Sequence, residues 1–163
     1  GFNVFSGEHC DLGFVFQSYN LLPGLTACEN VALPLLFRGV PREAREQAAR
    51  AMLCRVGLGH RLDHFPGQMS GGQQQRAGIA RAFITRPDVV FADEPTGNLD
   101  SHTTVEVMEM IRRFARSFHQ TIVLVSHDPE MAAYADRVVT LIDGEIVDDR
   151  RTPQSAAEKE KGK

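Results

Sequence analysis

Two carboxylates stand side by side in the sequence, at Asp93 and Glu94. They directly follow residues 89–92, a continuous apolar run that is typical of a strand buried on both faces. Because ligands of open parallel sheets bind at the carboxyl ends of the strands, this position is open to a ligand. Asp93 would suit Mg²⁺, and Glu94 would suit the orientation and deprotonation of a water that attacks a phosphate. The alternative is a solvated strand end before a turn at Pro95.

Residues 70–73, Ser-Gly-Gly-Gln, predict the start of a helix. Ser70 at the N-cap and Gln73 three residues later form a capping box. Gly71 and Gly72 each cost a helix roughly 1 kcal/mol relative to Ala, which is tolerable where another group must approach the backbone closely. The free amide groups and the helix dipole make such an end suitable for an anion. The alternative is an ordinary capped helix.

A histidine and a glutamine follow two further predicted strands. His127 comes shortly after residues 121–125, and Gln17 comes directly after residues 12–16. We expect His127 at the same sheet edge as Glu94, where a neutral imidazole could donate a hydrogen bond to a phosphate oxygen. The amide of Gln17, just past its strand, could contact a metal ion or water. The alternatives are a capping or loop histidine and a turn glutamine. The other five histidines show no ligand pattern, and we interpret them as surface residues.

Apolar periodicity and turn residues predict the elements that position these side chains. The predicted strands are residues 12–16, 89–92, 121–125 and 138–142, the last joined to 145–147 by a tight Asp143-Gly144 turn; the predicted helices are 41–56, 70–85, 103–118 and a short one at 129–135. Residues 1–12 are read as a loop or disrupted strand, and 17–26 and 57–69 as loops. The alternation of strands and helices predicts an α/β fold with a parallel sheet and right-handed crossovers.

The composition excludes several classes of protein. With 163 residues, 42% hydrophobic and 24% charged, the chain suits one soluble globular domain, and its net charge of -3 provides no positive field for nucleic acid. Its apolar runs are far shorter than the roughly 20 residues of a membrane span. Three cysteines without pair spacing argue against a disulfide framework or a zinc site, and favour a reducing compartment. All three lysines lie within residues 159–163, which excludes a phosphate-gripping lysine in the folded part.

Several of these segments, in this order, resemble the motifs of the ATP-binding subunit of ABC transporters over residues 12–149. Phe16-Gln17 is similar to the Q-loop, residues 69–73 to the signature motif with Met69 in place of the usual Leu, residues 89–94 to Walker B with its catalytic glutamate, residues 98–100 to the D-loop, and His127 to the switch histidine. The amino-acid sequences of residues 13–17, 20–23 and 91–100 are similar to those of one branch of the family. This branch serves lipoprotein release, macrolide export and antimicrobial-peptide export or resistance. The resemblance implies a P-loop NTPase core with a parallel sheet and a helical subdomain, N-terminally incomplete.

The resemblance also implies roles for individual residues, with ATP and Mg²⁺ as cofactors. Glu94 would polarise the attacking water, Asp93 would support Mg²⁺, and Gln17 would sense the metal and water. His127 would contact the terminal phosphate. Asp100 would act across the dimer interface, and the motif that contacts the nucleotide of the opposite subunit would consist of Ser70, Gly71, Gly72 and Gln73. The implied partners are a transmembrane permease and a second ATPase subunit, as a homodimer or heterodimer, with no nucleic acid. The implied location is cytoplasmic, on the inner face of the cell membrane.

The same resemblance divides the chain into four parts. Residues 1–17 would be a remnant of the core sheet that ends at the Q-loop, 18–76 the helical subdomain with the signature motif, 77–149 the ATPase core, and 150–163 a solvated polar tail. About residues 18–69 would touch the permease.

The family's Walker A loop, Gly-x-x-x-x-Gly-Lys-Ser/Thr, is absent from the 163 residues. We therefore expect an N-terminally truncated piece or the product of a degenerate or altered gene, and the DNA upstream of the Gly1 codon would decide which. Because this loop carries much of the phosphate binding, we expect weak ATP binding and negligible hydrolysis by the chain alone. A non-hydrolysing assembly module that donates residues 70–73 to a partner is one alternative. A DNA-associated ABC ATPase is another, disfavoured by the negative charge and the lack of flanking heptads.

Overall fold

The computed structural model describes residues 11–152 of the chain. The expectations for residues 1–10 and for the tail beyond residue 152 lie outside this part. The described elements are β1 Leu12–Phe16, α1 Ala27–Phe37, α2 Arg42–Arg55, α3 Gly71–Phe83, β2 Val89–Asp93, α4 Ser101–Phe118, β3 Thr121–Val125, β4 Arg137–Ile142 and β5 Glu145–Arg151, with short 3-10 helices at Pro66–Gln68 and Pro129–Tyr134. They form two compact units, one ending at Val125 and the other beginning at Ser126.

The first unit contains a parallel sheet in the order β1-β2-β3, which confirms the predicted parallel pairing for these strands. β4, the next strand of the predicted alternation, instead pairs with β5 in a separate antiparallel sheet. The register pairs Phe16 with Asp93 and Asp93 with Val125, so the three strands end level with one another. The residues that follow these strands therefore leave the sheet along one edge. This shared edge is the precondition for a ligand site at the carboxyl ends of the strands.

The two faces of this sheet differ in burial. Val15, Val90 and Ala92 point to the face on which α3 packs and are at most 2% exposed. On the opposite face, Val123 and Val125 of β3 are 37% and 53% exposed. The prediction that residues 89–92 and 121–125 are buried on both faces is therefore wrong within the described part of the chain. An apolar run reports what a strand could bury, whereas burial also requires a layer on each side.

Helix α3 lies at the centre of the first unit, because it contacts α1, α2, α4 and β1. Its residues Ala77, Ile79, Ala80 and Phe83 are fully buried, and the Phe83 ring lies 5.3 Å from the ring of Phe114 in α4. The helix begins after Ser70, as predicted, and ends two residues before the predicted Thr85. Contacts with three helices and one strand therefore fix the position of α3 and of its side chains within the first unit.

Helix α1 was absent from the sequence-based prediction. Thr26 caps it, and Glu29 completes a capping box by accepting from the Thr26 backbone amide, a Thr-x-x-Glu signal that the sequence does carry. The buried Asn30 side chain donates to the carbonyls of Leu22, Leu25 and Thr26 at 3.0 Å each and accepts from the Leu22 amide at 2.7 Å. One buried amide therefore fixes the loop that leads into this helix.

The second unit contains an antiparallel hairpin of β4 and β5 with Asp143 and Gly144 in its turn, as the sequence predicts. β5 continues to Arg151, so the prediction that a solvated tail begins at residue 150 places its start too early. Backbone pairing of β5 with β4 does not require apolar side chains, and the Arg137 guanidinium donates to the Asp149 carboxylate across the two strands. The predicted helix at residues 129–135 is a 3-10 helix. None of the helices within residues 11–152 combines the length and apolarity that a membrane span requires.

Candidate functional site

Three of the predicted site residues lie at the carboxyl edge of the sheet. Asp93 is the last residue of β2, Glu94 follows it, and Gln17 follows the neighbouring β1. The side chain of Gln17 lies against Gly97, where an added Cβ would be 2.5 Å from Gln17 Nε2. Asn98 Nδ2 donates to the Gln17 carbonyl at 3.2 Å. The structure thus brings Gln17 against the segment that follows the two carboxylates.

The backbone at Glu94 has a conformation that is uncommon for a residue with a side chain. Its φ is 43°, in the left-handed region. Two hydrogen bonds hold it there, since its amide donates to the Val125 carbonyl at 2.9 Å and its carbonyl accepts from the Gly97 amide at 3.1 Å. Strained backbone of this kind persists only where the surroundings fix it, and it concentrates at functional sites. The turn therefore fixes the backbone that carries the Glu94 carboxylate beside the end of β3.

Residues 70–73, the signature turn, form the capped helix start that the sequence predicts. Gln73 N donates to Ser70 Oγ at 3.3 Å, and Ser70 N donates to Gln73 Oε1 at 3.0 Å. A Cβ added to Gly71 would lie 2.7 Å from the hydroxyl oxygen of Tyr19, and one added to Gly72 would lie 2.8 Å from Thr103 Cγ2. The groups that approach these two glycines closely come from the same chain.

An open cavity of about 390 Å³ joins the signature turn to residues 98–100, which we call the D-loop segment. Its lining consists of Ser70, Gly71, Gly72, Gln73, Arg76, Asn98, Leu99, Asp100 and Thr103. Five of these residues, Ser70 to Gln73 and Asp100, are the ones that the sequence predicts to act at the dimer interface. Arg76 and Thr103 were missed, although each stands three residues after a predicted site residue on a helix, a spacing that places them on the same face.

Asp100 caps helix α4 with both carboxylate oxygens. Thr103 N donates to Asp100 Oδ1 at 3.0 Å, and Thr103 Oγ1 donates to Asp100 Oδ2 at 2.7 Å. These bonds, the hydroxyl first, hold the pKa of the Asp100 carboxyl below its ordinary value. The cap also explains why α4 begins at Ser101, two residues before the predicted start. The action of Asp100 across a dimer interface stays a prediction.

Helix α3 also reaches the turn after Glu94. The fully buried Gln75 donates from Nε2 to the carbonyl of Pro95. Its own Oε1 is buried and accepts no hydrogen bond within the described part of the chain. Sequence reasoning missed this residue, because nothing in its spacing shows which carbonyl it meets. One side chain therefore links the signature helix to the catalytic candidate.

The segment after Gln17 is tied to the same helix. The Arg81 guanidinium donates to the carbonyls of Tyr19, at 3.0 Å, and Asn20. Both residues have a positive φ, 61° and 49° respectively. Burial lowers the pKa of Arg81, whose Nη1 and Nη2 donate to these two carbonyls. Arg81 thus fixes the path of the chain just after the Q-loop.

His127 belongs to the second unit and follows the end of β3 by two residues. It is exposed, and the neighbouring Asp128 amide donates to Ser126 Oγ at 3.1 Å. Its predicted position at the same edge as Glu94 stays a prediction. Within residues 11–152, no cluster of three or more His, Cys, Asp or Glu side chains forms a metal site by itself.

Comparison with known proteins defines the class to which this fold and site belong. The sequence profile of the ABC transporter family matches residues 6–97. This stretch is more than half of the 163 residues, and the chain therefore belongs to the ABC transporter family. The resemblance inferred from residues 12–149 is confirmed at the level of the family.

Two relatives show which branch of the family the chain is similar to. The lipoprotein-releasing system ATP-binding protein LolD of Geobacter metallireducens is 51% identical over 138 residues, which cover 85% of this chain and 61% of LolD. The macrolide export ATP-binding/permease protein MacB 1/2 of Paracoccus denitrificans is 51% identical over 146 residues, 90% of this chain and 22% of that protein. The chain thus spans less than two thirds of LolD and about a fifth of the MacB relative. The predicted lipoprotein-release and macrolide-export branch is confirmed.

Solved structures agree with the predicted fold class. A dimeric bacterial ABC transporter cassette matches with a TM-score of 0.75 at 41% identity, over 86% of this chain and 62% of the cassette. A dimeric cassette in a post-hydrolysis state, bound to ADP and Pi, matches with the same TM-score and coverage at 40% identity. The α/β architecture described above is that of an ABC ATPase cassette.

Proposed function

We propose that this chain acts as the ATP-binding subunit of an ABC transporter, in which ATP hydrolysis drives export or lipoprotein release through a membrane permease. The observation that carries the proposal is the level edge of β1 and β2, which presents Asp93, Glu94 and Gln17 together. The LolD and MacB relatives, each 51% identical to this chain, are named for lipoprotein release and macrolide export, which supports the choice of process.

At this edge, Glu94 is the general base. It orients a water toward the terminal phosphate of ATP and accepts its proton, and the fixed turn holds the carboxylate for that step. Asp93 and Gln17 present an exposed carboxylate and an amide, whose oxygens suit Mg²⁺, so they would hold the ion. Mg²⁺, when bound, neutralises charge that develops on the phosphates. His127 donates a hydrogen bond to the terminal phosphate.

The signature turn serves a second nucleotide. The first amides of α3 and its helix dipole favour an anion, and the turn opens into the cavity shared with Asp100. In a head-to-tail homodimer or heterodimer, Ser70, Gly71, Gly72 and Gln73 contact ATP held by the other subunit. The dimeric cassettes that this chain resembles support such an arrangement.

The proposal assigns the remaining parts of the chain to the transporter. Residues 18–76 form the helical subdomain that touches the permease, and residues 77–149 continue the ATPase core. The protein lies on the inner face of the cell membrane, beside its permease. The described residues contribute no lysine to the phosphates, because all three lysines lie at positions 159–163.

A mixing assay tests the proposal. Its first component is a loop-containing form, in which a Gly-x-x-x-x-Gly-Lys-Ser/Thr segment of an ABC cassette is joined ahead of residue 12, with Gly72→Asp in its signature turn. Its second component is the 163-residue chain. We expect each to hydrolyse ATP negligibly alone and the mixture to hydrolyse it with Mg²⁺, because each supplies what the other lacks.

Three outcomes would decide between the alternatives. An inactive mixture, beside an active loop-containing form with Gly72 intact, would contradict the role of the signature turn. Activity of the mixture that persists when Glu94 is changed in the loop-containing component would contradict the general base. Salt-sensitive binding of DNA by the chain would favour a DNA-associated ABC ATPase instead.

A further inference from the structure

We propose that Thr103 is a positioning residue that fixes the signature turn and the D-loop segment in one register, so that the two move as a unit. This inference rests on the proposed function, because it concerns how one subunit presents both segments to its partner. It is based on the two different groups on the Cβ of Thr103. The hydroxyl contacts the D-loop segment, and the methyl contacts the signature turn.

The hydroxyl holds the D-loop side of the contact. Thr103 Oγ1 donates to Asp100 Oδ2 at 2.7 Å, and the Thr103 amide donates to Asp100 Oδ1 at 3.0 Å. Both oxygens of the carboxylate are therefore engaged by one residue. The charge-assisted geometry restricts the rotation of the Asp100 side chain and of Thr103 itself.

The methyl holds the signature side. Thr103 Cγ2 lies 2.8 Å from the position that a Cβ of Gly72 would occupy, which leaves no room for a side chain there. Because the hydroxyl is committed to Asp100, the methyl cannot rotate away without breaking that bond. The absence of a side chain at Gly72 thus has an explanation within the chain. Threonine alone among the standard residues carries a methyl and a hydroxyl on one Cβ.

A second link lies one helical turn further along. The Arg76 guanidinium of α3 pairs with the Glu106 carboxylate of α4, so the two helices are joined at Gly72 and Thr103 and again at Arg76, which also lines the cavity. With the helices joined in this way, a displacement of the signature turn by a nucleotide is passed to Asp100. Coupling of this type requires contacts that have only one arrangement, which the committed rotamer of Thr103 provides.

The test is a set of paired substitutions in the 163-residue chain. Gly72→Ala introduces the Cβ that meets the Thr103 methyl, and Thr103→Ser removes that methyl and keeps the hydroxyl. We expect Gly72→Ala to lower the thermal midpoint by roughly 3–10 °C, as overpacking does, and the double variant to regain most of the loss. Thr103→Val keeps the methyl and removes the hydroxyl, so it should not rescue Gly72→Ala.

The mixing assay provides the functional readout. We expect the Gly72→Ala chain to stimulate ATP hydrolysis at least tenfold less than the unchanged chain, and the double variant with Thr103→Ser to recover at least half of the stimulation. Gly67→Ala serves as the matched control, since a Cβ at Gly67 meets nothing within 4 Å. It should leave both the midpoint and the stimulation unchanged.

The outcomes separate this inference from the proposed function. If the effects of Gly72→Ala and Thr103→Ser on the midpoint simply add, the contact is absent and the inference is overturned. If the midpoint is rescued but stimulation is not, Thr103 packs against Gly72 without positioning the turn, which also overturns it. If the unchanged chain gives no stimulation, the proposed function fails, and the midpoints alone then decide whether Thr103 and Gly72 are coupled.

Discussion

The signature turn and the turn after β2 are built in opposite ways. At the signature turn, glycine stands where a neighbouring side chain leaves no room, with Thr103 Cγ2 only 2.8 Å from an added Cβ on Gly72. After β2, the backbone has a φ of 43°, which glycine adopts at the least cost, and yet the residue is Glu94. One turn omits side chains that its backbone would allow, and the other keeps a side chain that its backbone disfavours.

This difference shows which requirement selects the residue type at each turn. Packing within the chain is sufficient to require glycine at the signature turn, whereas the left-handed backbone costs a non-glycine residue about 1–2 kcal/mol. A side chain retained at that cost, directly after Asp93 at the carboxyl ends of the strands, points to a chemical role for the carboxylate. Gln75 joins the two turns, because it belongs to α3 and donates to the carbonyl of Pro95. The following predictions test the two turns separately and then their connection.

The largest effect is expected at the turn after β2. In the loop-containing form with Gly72 intact, Glu94→Gln should reduce steady-state ATP hydrolysis at least about 100-fold and leave ATP binding intact, because an amide cannot accept the proton. Hydrolysis is measured by phosphate release, and binding with a fluorescent ATP analogue. Glu43→Gln, at an exposed position on α2, is the matched control. Turnover close to that of the control would show that the carboxylate is kept for another reason.

The second prediction separates charge from packing at the signature turn. In the mixing assay, a chain with Thr103→Ser and Gly72→Asp should stimulate hydrolysis about tenfold less than one with Thr103→Ser and Gly72→Asn. Both pairs remove the methyl and add side chains of nearly equal size, but only the first places a carboxylate at the helix entrance, where it repels phosphate. Equal stimulation by the two chains would mean that sterics alone governs this turn, and the anion role would be withdrawn.

The third prediction concerns the connection through Gln75. Gln75→Leu should lower the free energy of unfolding by about 1 kcal/mol, because the Pro95 carbonyl loses its donor while the unpaired Gln75 Oε1 is also removed. Urea unfolding of the 163-residue chain measures the change, with the exposed Gln47→Leu as control. In the loop-containing form with Gly72 intact, kcat should fall several-fold with KM little changed, since only the Glu94 turn is loosened. If the variant were as active as the wild type, the proposed connection of the two turns through Gln75 would be contradicted.

The smallest expected effect is on the pH dependence of stability, in which the caps of α3 and α4 should differ. The pKa of Asp100 is lowered by its bonds from Thr103, so its contribution to stability is present above the ordinary carboxyl pKa and is lost as the pH falls through the lowered value. Ser70, which caps α3, does not titrate. We expect Asp100→Asn to make the thermal midpoint less dependent on acid pH, whereas Ser70→Ala should cost about 1 kcal/mol at every pH. Parallel pH profiles for the wild type and Asp100→Asn would contradict this assignment.

Sequence reasoning succeeded where a feature depends on residues that are close together along the chain. The bounds of β1 and β3 were predicted to the residue, because short apolar runs end at turn residues, and the Ser70 capping box is likewise a contact between near neighbours. The start of α4 was placed two residues late, since apolar periodicity begins after the cap at Asp100. The prediction that Val125 and its face of the sheet are buried was wrong.

By itself, the sequence determined the order of the strands and of the helices other than α1, the acidic pair after β2, the capped glycine turn and membership of the ABC transporter family. Only the tertiary structure decided that Thr103 meets Gly72, that Gln75 meets Pro95, and that Arg81 holds the carbonyl of Tyr19, 62 residues away. The physical reason is that periodicity and capping arise from neighbours along the chain. The partner of a buried polar group or of a missing side chain is set by how the elements pack, which no local pattern records.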